Sequence, residues 1–277
     1  MIKKNLYFVS FVPGSCGNFI GMLLYNTFND QTIYNISPVA DGHCFNFLQN
    51  GIYKDNYYNG KFVDLIKLDF NFIFNNLNQL ILAGKLPLYQ DKNIYDEIHS
   101  KFNFYLIEIN FDYELDITQI ALQYIIKNIL NEYKLLQENK KTLHSKTDIE
   151  ERFFIFREMI NEPNLDVFNL DFEIISRAIG RIAGELIDQK KQEMEKKHLF
   201  NFSNSVIINF RDIYKNHNNI ILALEEICGH NVKPSTYDLL NEYVLKTNNL
   251  NEWYLYDYIN GQNVYCFLHH KYVRFPK

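Results

Sequence analysis

Residues 8–26, FVSFVPGSCGNFIGMLLYN, carry an apolar segment into a run of small residues and straight out into an apolar helical pattern. Pro13, Gly14, Ser15, Cys16 and Gly17 stand in succession at the junction. A strand that turns through glycines into a helix N-terminus is a device for holding an anion. The first helical turn has backbone N–H groups ahead of the ladder, the helix dipole adds partial positive charge, and glycine lets a ligand approach the backbone closely. Successive N–H groups in such a turn form a cradle. In PGSCGNF the glycines supply the freedom, and the Ser15 and Asn18 side chains offer hydrogen bonds to a phosphate. The Walker pattern G-x-x-x-x-G-K-[ST] is absent, because neither its lysine nor the following hydroxyl residue occurs, and this disfavours an ATPase or an ordinary nucleotide kinase.

Other residues offer less. Cys16 sits in the loop at a helix N-terminus, a place for a nucleophilic thiol, yet no histidine partner for it can be assigned from sequence. Cys16, Cys44, Cys228 and Cys266 show no C-x-x-C spacing, so neither a zinc site nor a disulfide framework is indicated. No metal is expected. His99 and His144 read as solvent-facing, and Arg177 and Arg181 as i, i+4 ion pairs with Glu173 and Glu185. Asp212 reads as a residue that fixes a strand-to-helix turn.

Positioning the turn requires a strand before it and a helix after it. NLYFVSFV, residues 5–12, has the continuous apolar character of a strand covered on both faces of a parallel sheet, and Phe19, Ile20, Leu23 and Leu24 recur at helical spacing. Residues 30–60 read as loop with a short strand at 32–36. Residues 62–84 read as a helix stopped by Gly84. Residues 101–112 and 204–210 are two more strand candidates. Residues 117–136 form an amphipathic helix with Asp116 as N-cap, followed by helices over 148–161 and 171–198, the last ending in DQKKQEMEKK as a solvated or projecting end. Two further helical segments follow the third strand, the first ended by Gly229, and the tail suggests a hairpin around NGQN. Strands interleaved with helices indicate an α/β layered fold. The division expected is a domain over 1–250 with a helical insertion at about 117–200, then an aromatic-rich tail over 251–277.

At 277 residues the chain can bury a sizeable core. Aromatic residues make up 16%, but Phe, Tyr, Asn, Ile and Lys are all residues of AT-rich codons, so this richness carries little functional information. The net charge of −5 argues against a nucleic-acid-gripping surface, and leaves a small anionic ligand open. No stretch approaches the ~18 to 20 apolar residues of a membrane helix. The apolar run before Pro13 reads as a buried strand rather than a signal peptide. A cytoplasmic, reducing setting is the expectation; oligomeric state is not legible.

FVSFVPGSCGNFIGMLL resembles the first strand and 5′-phosphosulfate loop of the P-loop sulfotransferases, which run aromatic-x-Pro-Lys-Ser-Gly-Thr-Thr-Trp-Leu. It is more similar still to the divergent sulfotransferase-like proteins of phages and large viruses, where Pro-Gly-x-Gly-Gly-Asn-aromatic takes that place. Pro13, Ser15, Gly17, Asn18 and Phe19 match in type or position. Residues 206–247 resemble the family's closing segment: a strand, F-x-D-hydrophobic, a helix ending in glycine, and a last helix with Tyr and Lys.

The resemblance implies a three-layer α/β fold with a central, mostly parallel sheet. It implies a 3′-phosphoadenosine 5′-phosphosulfate donor on Gly14, Ser15, Cys16, Gly17, Asn18 and Phe19, with Thr118 as the hydroxyl of the 3′-phosphate site. The reaction implied is transfer of a sulfuryl group to a hydroxyl acceptor, with His43 in ADGHCF as the base. Two departures stand out. Gly14 occupies the place of the family's loop lysine, which offsets charge developing on the bridging oxygen. Asn110 occupies that of the 3′-phosphate arginine, with Lys127, Arg152 and Arg157 as candidate substitutes. They motivate a second reading, a catalytically silent binding or assembly protein that keeps the fold.

Overall fold

A computed structural model describes residues 3–28, 77–84, 99–113, 116–140, 145–167, 172–197, 202–242, 264–266 and 271–273, together with 73, 75, 96 and 142. Four parallel strands form its sheet: β1 (Lys4–Ser10), β2 (Gln79–Gly84), β3 (Phe102–Asn110) and β4 (Asn204–Asn209), in the order β2-β1-β3-β4. β1, β2 and β3 are near-continuous runs of Leu, Ile, Val, Phe and Tyr because both their faces are covered. β4 alternates instead: Val206 and Ile208 are buried, while Ser205, Ile207 and Asn209 face outward.

Helices lie on both faces of the sheet, giving the α/β architecture that the interleaved pattern predicts. α1 (Gly17–Phe28) packs on β2 and β1, and the Phe28 ring meets the Tyr7 ring at 4.8 Å. That contact places α1 on the Tyr7 and Val9 face. The opposite face carries Phe8, Ser10, Phe104 and Glu108, since register partners share a face.

The chain divides into two compact units, 1–110 with 190–241 and 111–189 with 242–277. The second contains α2 (Ile117–Tyr124), a π-helical turn (Ile125–Leu130), α3 (Asn131–Gln137) and α4 (Lys146–Ile160). Tyr133 of α3 stacks on Phe153 of α4 with ring centroids 3.6 Å apart, and Ser145 Oγ caps α4 by accepting from the Asp148 N–H. A long helix, α5 (Phe172–Lys197), crosses the boundary, its residues 190–197 belonging to the first unit. After β4 come α6 (Asp212–Lys215) and α7 (His217–Cys228), and α7 packs on β4. Gly229 ends α7 in the left-handed conformation, as its place in the sequence predicts.

Several expectations are corrected. Residues 79–84 form strand β2 rather than the end of a helix; a short apolar run has no periodicity to separate a buried strand from a buried helix, and hydrogen bonding to β1 decides it. Asp116 precedes α2 but makes no cap; its Oδ2 accepts from the Asp112 N–H instead. Arg177 of α5 pairs with Glu162, a partner outside its own helix that the sequence spacing does not suggest. His99 is half-buried with its ring 5.8 Å from that of Phe104, and burial, with Lys3 second, lowers its imidazole below 6.5. In the tail, β5 (Val264–Cys266) and β6 (Lys271–Val273) pair antiparallel. The expected strand at 32–36, His144 and the NGQN residues themselves lie outside the described residues.

Candidate anion-binding site

β1 ends at Ser10 and the chain turns through residues 11–16 into α1. Phe11 N–H donates to Gly84 O at 3.1 Å, prolonging the β1–β2 pairing by one bond. Val12 O then accepts twice from Ser15, from its N–H at 3.1 Å and its hydroxyl at 2.8 Å. Ser15 is fully buried, so its hydroxyl closes the turn from within. Gly14 and Cys16 both have positive φ, 89° and 66°. Cys16 is thus a non-glycine residue in a conformation that glycine favours, and its Sγ lies 3.3 Å from the Tyr214 hydroxyl of α6. The α1 ladder opens with Ile20 N–H to Cys16 O at 3.1 Å, so the N–H groups of Gly17 and Asn18 precede its first bond.

Gly17 is needed for a packing reason that its place in the sequence hides. A Cβ at this position would lie 2.0 Å from Cγ of the Phe11 ring, so the ring rests on the bare backbone of the helix start. The Phe19 side chain is likewise core, leaving only its backbone to the turn. Asn18 is half-buried, and its Oδ1 has no hydrogen-bond partner among the described residues.

At the end of β1 lies a cluster of charges, three of them from the segment expected to be a solvated helix end. Ser10 and Glu108 are register partners at the carboxyl ends of β1 and β3, where the strand order reverses and parallel sheets open a crevice for ligands. Lys190 Nζ donates to Glu108 Oε1 at 2.8 Å and to Ile109 O at 3.2 Å; Lys197 Nζ donates to Glu108 Oε2 at 2.6 Å. The Ser10 hydroxyl donates to Glu193 Oε2 at 3.0 Å. Ser10, Glu108, Lys190, Glu193, Met194 and Lys197 enclose a cavity of about 10 Å³, room for about one water molecule. Two ammonium groups balance two carboxylates. Burial pushes the Glu108 carboxyl upward, but the bonds from Lys190 and Lys197 outweigh it and hold the group below its ordinary value of 4.5.

DQKKQEMEKK is therefore corrected from a solvated end to a partly buried one. Lys190, Glu193 and Lys197 recur on one face of α5, and that face finds partners on the sheet. The signal was present in the strand: Glu108 is a lone acid within FNFYLIEIN, where both faces are covered.

Among the sequence-predicted residues, Gly14, Ser15, Cys16, Gly17, Asn18 and Phe19 form one contiguous turn. Thr118, half-buried in the first turn of α2, belongs to the second unit, as do Arg152 and Arg157. Arg157 donates to Pro163 O at 3.0 Å and lies over the Phe153 ring. Asn209 Nδ2 donates to Asp212 Oδ2 at 3.3 Å, in keeping with a turn-fixing role for Asp212. His43 lies outside the described residues. No group of three or more His, Cys, Asp or Glu is placed to hold a metal ion among the described residues, and no helix among them is long and apolar enough to cross a membrane. No protein-family model matches the chain, and no curated protein or solved structure is similar enough to count as a match.

Two outcomes follow. Gly17→Ala destabilises by about 2 kcal/mol, the scale of an overpacked core, and adding Phe11→Ala costs less than the two changes summed, as a double-mutant cycle in urea measures. Because Glu108 has a depressed folded-state pKa, its ionised form contributes stability above its unfolded value, and that contribution disappears as pH falls through the folded value. Urea unfolding below about pH 4.5 therefore shows an acid loss of stability that is smaller in Glu108→Gln than in the parent.

Proposed function

We propose that the first unit binds a phosphorylated nucleotide with its anionic group at the 14–19 turn. In this reading the protein is sulfotransferase-like and its donor is 3′-phosphoadenosine 5′-phosphosulfate. The observation that carries it is the position of the turn: β1 enters it at the reversal of strand order, and α1 leaves it with the Gly17 and Asn18 N–H groups ahead of the helical ladder. The Asn18 side-chain amide, through its N–H donors, supplies a second polar group in the same helical turn. In the transfer step the acceptor hydroxyl oxygen forms a bond to sulfur as the bond from sulfur to the bridging phosphate oxygen breaks. The hydroxyl proton passes to a base, for which His43 is the candidate, and the nucleotide leaves as adenosine 3′,5′-bisphosphate.

One observation favours the second reading, a silent fold that binds or assembles without chemistry. The Ser15 hydroxyl and N–H both close on Val12 O, and the turn contains no cationic side chain. Isothermal titration with adenosine 3′,5′-bisphosphate separates the two. The donor reading expects micromolar affinity, weakened roughly tenfold, or about 1.4 kcal/mol, by Asn18→Leu. A folded protein with no measurable affinity rules out the donor site and leaves the silent fold.

A further inference from the structure

An anion at the end of β1 needs charge that the turn does not carry, since residues 11–18 include no lysine or arginine. The helix-start amides supply only partial charge. Ser10, the last residue of β1, lines one small cavity together with Lys190 and Lys197. The two lysines are not equivalent. The Lys190 side chain is 2% exposed and is held by both Glu108 Oε1 and Ile109 O. The Lys197 side chain is 34% exposed and bonds to Glu108 Oε2. Removing Lys190 from Glu108 would leave a buried carboxylate short of its inner partner, which is strongly unfavourable. Lys197 can turn outward while Lys190 continues to neutralise Glu108. Met194, 56% exposed and flexible, lines the same small cavity and marks its solvent side. The cavity holds no more than about one water, too little for a phosphate or sulfate, and Lys197 is the more exposed of the two lysines that line it.

We propose that Lys197 is a ligand-binding residue, which turns its ammonium from Glu108 to the anionic phosphate or sulfate group of the nucleotide at the 14–19 turn, while Lys190 stays beneath as the fixed counter-ion of Glu108. The assignment rests on the donor-site reading above. It gives the buried acid a purpose: Glu108 stores the second lysine, paired and ordered, until an anion arrives.

The test titrates adenosine 3′,5′-bisphosphate into the parent protein, Lys197→Met, Lys197→Gln, Lys197→Arg and Asn18→Leu, with circular dichroism confirming that each is folded. Lys197→Gln keeps a donor for Glu108 while removing the charge, and so serves if Lys197→Met does not fold. The expected result is a loss of roughly tenfold or more in Lys197→Met and Lys197→Gln, near-parent affinity in Lys197→Arg, and a shallower salt dependence in the neutral variants, as removal of one charge contact predicts. Inorganic phosphate, the second probe, is expected to compete with the nucleotide in the parent at far lower concentration than in Lys197→Met. If Lys197→Met and Lys197→Gln bind as tightly as the parent while Asn18→Leu is weakened, the donor site stands and the assignment of Lys197 is wrong. If the folded parent binds no nucleotide, both fall.

Discussion

A carboxylate inside a sheet has to be met by cations, and the first unit is arranged around that requirement at Glu108. The residue sits near the carboxyl end of β3, on the face shared with Phe8 and Phe104, where water cannot stabilise its charge. Lys190 and Lys197 reach it from one face of α5, seven residues apart, and Glu193 between them takes the hydroxyl of Ser10 on the neighbouring strand. Removing Lys190, the fully buried partner of Glu108, costs on the order of 3–5 kcal/mol, because the charge left behind stays buried. The same bonds that satisfy Glu108 therefore fix residues 190–197 of α5 against the ends of β1 and β3.

That constraint decides what stands beside the 11–16 turn. The turn is itself closed from within: Ser15 bonds back to Val12, the Phe11 ring lies on Gly17, and Cys16 reaches the Tyr214 hydroxyl beyond β4. The helix start is thus held rigidly where the strand order reverses, with the amides of its first turn ahead of the ladder. In the proposed donor site, charge comes from α5 rather than from the turn. A site assembled from a neutral cradle and a lysine stored on a buried acid differs from one in which the loop carries its own lysine. In such a site the cost of ordering the cation is met by the fold before any ligand arrives.

The elements around the turn were legible in the sequence because their patterns are unambiguous. A continuous apolar strand, a loop of small residues and a helix with apolar residues three and four apart admit one local reading, and Gly229 marked the end of α7 for the conformational reason that the structure shows. β2 was not legible. QLILAG has no period, and only its pairing with β1 makes it a strand. The charge cluster was hidden for a different reason. DQKKQEMEKK has the composition of a solvated helix end, and its partner, Glu108, stands 82 residues before Lys190. Composition describes a segment in isolation, whereas burial of Lys190 depends on what the sheet presents to it. The role of Ser15 was misleading in the same way, since a hydroxyl in a turn reads equally well as a ligand contact or as the bond that closes the turn.

The claim on which the account depends is that the carboxyl edge between β1 and β3 is an anion site made by the α1 start and the end of α5. Diffraction from crystals grown with adenosine 3′,5′-bisphosphate tests it most directly. The account predicts density for a phosphate at the Gly17 and Asn18 N–H groups, with Lys197 Nζ turned from Glu108 Oε2 toward it and Lys190 still on Oε1. Nucleotide density elsewhere on the chain, with that edge unchanged, would contradict it.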